Sequence, residues 1–205
     1  MFRTLDYYFS IHSPFAFLGN EALAEIARRH EVQVVYRPVL LGPLFDETGG
    51  LPLGKRHPAR QRYRLVEMQR WQERRGVAFN LMPLHWPFDP ALADRLVIAA
   101  VEAGFDPGAL VGRLFAAVWQ RQENLAETAT LLAVLQELGL PSDILVEASG
   151  QKIAGLYEEN RRRAVESDVF GSPSYVLDGE VFWGQDRIEL LEQALSSRRR
   201  PYRPG

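Results

Sequence analysis

The chain has 205 residues, 46% of them hydrophobic and 24% charged, and a formal net charge of -2. That is an ordinary globular balance, with no overall electrostatic pull toward nucleic acid or anionic lipid and with enough length for one full core plus a large insertion. It contains no cysteine, which excludes disulfides, thiolate-bound metal and a redox couple of its own, so any thiol chemistry must involve a diffusible partner.

No apolar stretch approaches the length of a membrane span. Asp6 and His12 interrupt the early residues, the start lacks the pattern of a secretory leader, and a cytoplasmic protein is expected. Leu5 to Phe9 is short, aromatic and bounded by polar residues, and it predicts a buried strand. Phe15, Leu18, Ala22 and Ile26 then fall at helical spacing, with Ser13 as cap and Pro14 at the first helical position. Glu31 to Tyr36 alternates as a second strand. The resulting β-α-β unit places the Ser13 turn at the carboxyl edge of a parallel pair, where ligands commonly sit.

From Gly42 to Pro58 the chain is rich in glycine and proline, predicting a linker that loops over the site. Beyond it the periodicity is helical up to about Asp168. Asp89-Pro90 and Asp106-Pro107 are start signals, and Gly76, Gly104 and Gly139 are stops. After Gly171 the strand pattern returns in Ser174 to Leu177 and Glu180 to Trp183, separated by the turn dipeptide Asp178-Gly179. Asp186 is placed to cap a final helix running to about Leu195, and the basic tail Arg198 to Gly205 is expected to be disordered.

This order describes an α/β, thioredoxin-like body formed by residues 1–42 and 169–205, interrupted by an all-helical insertion over 43–168. Ser13-Pro14-Phe15-Ala16 stands where a thioredoxin-type redox enzyme carries Cys-x-x-Cys. A hydroxyl at a helix N-terminus can hold a thiolate brought by another molecule, and it cannot form a mixed disulfide with it. Gly171-Ser172-Pro173-Ser174 precedes the third strand, where thioredoxin-like proteins set a cis-proline opposite that helix.

Three ordered motifs resemble the family of 2-hydroxychromene-2-carboxylate isomerases and kappa-class glutathione transferases, which are DsbA-like proteins with serine in place of the first redox cysteine. They are Tyr7-Tyr8-Phe9 leading to Ser13-Pro14-Phe15-Ala16-Phe17-Leu18-Gly19, then Val169 to Ser174, then Phe182-Trp183-Gly184-Gln185-Asp186-Arg187. Met68-Gln69-Arg70-Trp71 and Pro87-Phe88-Asp89, followed by Leu92-Ala93-Asp94-Arg95, are similar to the family's helical part.

The resemblance implies glutathione as the thiol partner. It assigns Ser13 to the sulfur, the backbone of Ser172 beside Pro173 to the cysteinyl segment, and Gln185 and Asp186 to the γ-glutamyl end. Arg60, with Glu67, is a candidate cleft contact where the family's loop asparagine has no counterpart around Gly49 to Leu53. The family's aspartate three residues before the serine is Ser10 in this chain. His12 is read either as a local proton acceptor or as a partly exposed side chain, and Trp86 and Trp183 are the pocket candidates among four tryptophans. His30, His57 and His85 show no metal-ligand spacing, and the arginine runs at 161–163 and 198–200 read as solvated surface.

The activity implied is isomerisation of an aromatic α-keto acid, 2-hydroxychromene-2-carboxylate to hydroxybenzylidenepyruvate, by reversible thiolate addition. A kappa-like glutathione transferase and a redox-inactive, DsbA-like peptide-binding domain are the alternatives. The resemblance also implies a homodimer.

Overall fold

Six residues after the start of β1, Thr4–Phe9, the chain leaves the sheet and turns into helix α1, Pro14–Arg29. The architecture comes from a computed structural model describing residues 3–203. Strand β2, Gln33–Pro38, returns parallel to β1, with Leu5 opposite Val34 and Phe9 opposite Pro38. It lies two residues later than the alternation predicts, because Glu31 adopts φ +52° and extends the turn.

The segment expected to be a linker is largely helical. Leu41–Thr48 forms α2, ending in Gly49 at φ +77°, and Leu53–Lys55 forms a 3-10 turn. Glycine and proline there mark the ends of short helices rather than an open loop.

Six further helices follow: α3 Pro58–Arg75, α4 Ala91–Glu102, α5 Gly108–Trp119, α6 Thr128–Glu137, α7 Asp143–Ser149 and α8 Gln151–Glu166. Asp89 Oδ1 accepts the Ala91 N–H at 2.9 Å and Asp106 Oδ1 the Gly108 N–H at 3.0 Å, so each aspartate satisfies the first N–H of its helix across a proline that stands at the N-cap position itself, and each helix starts one residue later than expected. Gly76, Gly104 and Gly139 take positive φ where their helices stop.

Strands β3, Ser174–Leu177, and β4, Glu180–Trp183, complete a sheet of order β2-β1-β3-β4, antiparallel beyond β1. Their turn holds Asp178 and Gly179 at φ +52° and +81°, the left-handed pair that a two-residue hairpin requires. Asp186 does not cap the last helix, α9 (Ile188–Ser197). A 3-10 turn over Gln185–Arg187 intervenes, and the Asp186 carboxylate pairs with Arg187 at 2.5 Å.

The tail is ordered as far as it is described. Arg199 pairs with Glu180 at 2.7 Å, the Tyr202 N–H reaches the same carboxylate, and Arg203 donates to the carbonyls of Asp178 and Gly179. Its last two residues, Pro204 and Gly205, lie outside the described residues.

Alternation along the strands gives the sheet two buried faces. Leu5, Tyr7, Phe9, Tyr175 and Leu177 face a large cluster that includes residues of α1, α4, α5 and α9, with Tyr7 stacked on Phe9 and Tyr175 at 4.4 and 5.4 Å. Tyr8 and Val176 face a smaller one with Leu44, Ala164 and Val169. Among the described residues no helix is long and apolar enough to cross a membrane.

Candidate active site

The turn between β1 and α1 has every backbone polar group paired. The Ser10 N–H goes to Ser172 Oγ at 3.2 Å, and the Ser10 carbonyl accepts from the Ser13 N–H. The Ile11 N–H donates to Asp94 at 2.9 Å, and the Ile11 carbonyl accepts from the Trp119 indole at 3.3 Å. The His12 N–H donates to Ser10 Oγ, while its carbonyl accepts from the Trp86 indole at 3.2 Å. A segment so completely paired has no cheap alternative conformation, and its partners come from α4, α5, the loop before α4 and the turn before β3.

Ser13 caps α1. Its Oγ accepts the Ala16 N–H and donates to the Ser172 carbonyl, both at 3.2 Å. Ser172 and Pro173 are joined by a cis peptide bond, and the Gly184 N–H donates to the Pro173 carbonyl at 2.9 Å, fastening the β4 end to the same turn.

Sequence reasoning left Asp94 without a role. It is 0% exposed and accepts from Ser10 Oγ at 2.9 Å, from the Ile11 N–H and from the Tyr157 hydroxyl at 2.8 Å. Burial outweighs these three donors and pushes its carboxyl up to about 7. The signal in the sequence was a carboxylate at helical spacing with the apolar residues Ala91, Val97 and Ile98 of the same helix.

His12 is partly exposed, and its ring is unpaired. Its ring stacks on Trp86 at 4.9 Å with Phe88 edge-on at 5.5 Å, and its buried Nε2 has no hydrogen-bond partner. Burial, assisted by Arg64, lowers its pKa to about 4, so the ring is neutral at neutral pH.

A cavity of about 640 Å³ opens over this turn, within the size range of small-ligand sites. Ser13, Ser172, Trp86, Trp183, Arg60 and His12 all contribute to its wall, as do Gln185 and Asp186, whereas Pro173 does not. Gln185 is 2% exposed, and both its backbone carbonyl and its Oε1 accept from Arg75, a contact that sequence reasoning missed. Gly19 makes room for it, because a Cβ there would lie 2.8 Å from both Gln185 Cβ and the Tyr175 hydroxyl. Asp186 presents a carboxylate already paired with Arg187. Trp183 is half exposed, with Phe170 edge-on at 4.7 Å. The segment from α2 to the start of α3 supplies Phe45, Leu51 and Arg56 to the facing wall.

A sheet of this order, a serine-capped helix and a cis-proline turn facing it define a thioredoxin-type class, and the chain belongs to the DsbA-like thioredoxin domain family, whose model matches residues 4–196. Among individual proteins, it is 28% identical over 201 residues to a 2-hydroxychromene-2-carboxylate isomerase of Sphingobium xenophagum, covering 95% of this chain and 99% of that one. It is 24% identical over 209 residues to glutathione S-transferase kappa 1 of Rattus norvegicus, covering 96% and 92%. A solved 2-hydroxychromene-2-carboxylate isomerase matches with a TM-score of 0.83 at 25% identity, covering 95% of each chain. The cytosolic disulfide reductase DsbM of Pseudomonas aeruginosa shares the fold, with a TM-score of 0.72 at 20% identity and coverage of 95% and 98%.

Proposed function

We propose that this chain is a glutathione-dependent isomerase converting 2-hydroxychromene-2-carboxylate to hydroxybenzylidenepyruvate. The observation that carries the reading is the Ser13 hydroxyl, held at the N-terminus of a 16-residue helix on the wall of a cavity with several arginines. Similarity over nearly the whole chain to proteins named for that isomerase and for a glutathione transferase supports it.

The residues present fit glutathione. A tripeptide with two carboxylates and one ammonium suits a wall that includes both arginines, Arg56 and Arg60, and the Asp186 carboxylate. In this reading Arg60 meets a carboxylate, Asp186 and Gln185 meet the γ-glutamyl end, and the Ser172 backbone lies along the cysteinyl segment. In this reading residues 43–168 are the helical part, packed on both faces of the sheet, and 1–42 with 169–205 the thioredoxin-like part.

When bound, glutathione would supply a thiolate: after the hemiketal C–O bond opens to the cis unsaturated keto acid and free phenol, the thiolate would add to the conjugated double bond, permit rotation about the resulting single bond, and leave again as the trans alkene re-forms. The chain's part begins with ionisation. A thiol of pKa about 8.5 is only a few per cent ionised at neutral pH, and lowering it by about two units, about 2.7 kcal/mol, makes about three quarters anionic. A helix terminus gives about 0.3 to 1 kcal/mol, so the Ser13 hydroxyl must provide much of the remainder as a charge-assisted donor. Its proton now points to the Ser172 carbonyl, and it has only to swing toward a sulfur to do so. Its oxygen keeps the Ala16 N–H, so the cap persists through the change.

The test is an assay of purified protein with glutathione and 2-hydroxychromene-2-carboxylate, run beside a chloro-nitro-aromatic. Turnover of the first alone supports the isomerase. Conjugation of the second alone makes the chain a transferase. Failure of glutathione to bind by calorimetry rejects both.

A further inference from the structure

The arginines around the cavity are not equivalent. Arg187 is paired with Asp186 at 2.5 Å. Arg56 donates to the Leu51 carbonyl at 2.7 Å and lies over Phe45, which holds the 51–56 segment in place. Arg60 is exposed, and both it and Arg64 also line an outer groove of about 470 Å³ that shares residues with the main cavity.

Arg64, one helical turn further along α3, is different. It is half-buried, its guanidinium lies over the Trp86 ring at 5.0 Å, and no acceptor among the described residues meets it. The nearest carboxylate on its own helix, Glu67, is tied to Arg70 at 2.5 Å. Burial and the neighbouring Arg56 bring the Arg64 pKa down to about 10, so it remains a cation at neutral pH. A desolvated cation with no counter-charge is costly by itself, and the cost falls sharply when an anion arrives.

Its surroundings specify that anion further. Trp86 is fixed by the hydrogen bond from its indole to the His12 carbonyl, and the neutral His12 ring stacks on it at 4.9 Å. His12 directly precedes Ser13, so this aromatic pair connects Arg64 to the capped helix end. A guanidinium beside flat, uncharged ring faces suits a carboxylate borne on a planar aromatic group.

We propose that Arg64 is the specificity-determining residue of a second subsite in this cavity, binding the carboxylate of an aromatic acid whose ring lies against Trp86 and His12. The assignment deepens the isomerase reading and rests on it for the identity of the cavity as the reaction site. It divides the work between two arginines, Arg60 toward glutathione and Arg64 toward the substrate acid. It also makes the site selective for anionic over neutral electrophiles.

The experiment is equilibrium binding, by calorimetry or tryptophan fluorescence, of trans-cinnamate and of its neutral isostere cinnamamide, without glutathione. Wild type should bind cinnamate at least about tenfold more tightly than the amide, in line with a charge-assisted hydrogen bond. Arg64→Met should abolish that preference while leaving glutathione affinity within about twofold, and Arg64→Lys should retain part of it. Arg60→Met should do the reverse, weakening glutathione and sparing cinnamate. Circular dichroism of each variant reports folding, and Arg64→Lys keeps the test open if Arg64→Met fails to fold. An undiminished cinnamate preference in Arg64→Met overturns the assignment, as does equal binding of acid and amide by wild type. Absence of glutathione binding in wild type, with the Arg64 effect intact, would instead reject the isomerase reading and leave an aromatic-acid site.

Discussion

Replacing Asp94 by asparagine separates two opposed pH dependences. The Asp94 carboxyl is held at about 7 against its ordinary 3.8, about three units and therefore about 4 kcal/mol. A raised carboxyl pKa means that the folded state keeps its proton longer than the unfolded chain does. The associated stability is fully present below the unfolded value and is lost as pH rises from near 4 through about 7. His12 runs the other way. Its pKa falls from 6.5 to about 4, so its contribution is present above 6.5 and is lost as pH falls toward 4, by at most about 3 kcal/mol before discounting for its partial solvent contact. Over the same window the two largely cancel in wild type. Urea unfolding of wild type and Asp94→Asn at pH 5 and pH 8 exposes the first term, because groups common to both proteins drop out of the difference. The variant should gain about 3 kcal/mol relative to wild type between those pH values, whatever its offset from altered hydrogen bonds to Tyr157 and Ser10. His12→Gln should show the opposite trend, gaining up to about 2 kcal/mol relative to wild type at pH 5 compared with pH 8. A difference between Asp94→Asn and wild type that does not change with pH refutes the reasoning.

Ser13→Ala should lower isomerase turnover at pH 7 by about 10- to 100-fold and recover in part toward pH 9, where thiol ionises unaided. An equal loss at every pH would reduce Ser13 to a helix cap, whose removal costs about 1 kcal/mol in urea unfolding. Gly171→Ala sets a Cβ where Trp183 Nε1 lies only 2.3 Å away. Because that indole is half exposed it should swing outward, reducing glutathione affinity in calorimetry while stability changes by less than about 1 kcal/mol. Arg199→Ala removes the ion pair with Glu180, whose carboxyl Arg199 holds below the usual range. Chymotrypsin should then cleave after Tyr202, which Glu180 and Arg199 hold in wild type, faster than before, with little change in melting temperature; unchanged cleavage would mean that the Arg203 contacts alone hold the tail.

Much of the scaffold was legible because short-range chemistry decided it. Ser13 and Pro14 start α1, the two Asp-Pro pairs start helices, and Asp178-Gly179 makes the hairpin, all through groups within three residues of one another. What local pattern missed was long-range pairing. Asp186 is the exception, a local miss: it satisfies the capping pattern, yet its carboxylate goes to the adjacent Arg187 and the helix begins after a 3-10 turn. The tail has the composition of a disordered segment, but Glu180 and the turn carbonyls give its arginines partners that no sequence window contains. Asp94 belongs to the same class, since its partners lie 63 to 84 residues away. The residues around the cavity were legible through motif order, and the difference between Arg60 and Arg64 was not, because burial on a largely polar helix leaves no periodic trace.

The turn before Ser13 is gripped from above by α4 through Asp94 and by α5 through Trp119. A hinge that lifted those helices away would take apart the turn that positions Ser13. The wall formed by α2 and the 3-10 turn makes none of these hydrogen bonds and can move without breaking them, so substitutions that stiffen residues 49–56 should slow ligand exchange without disturbing the turn.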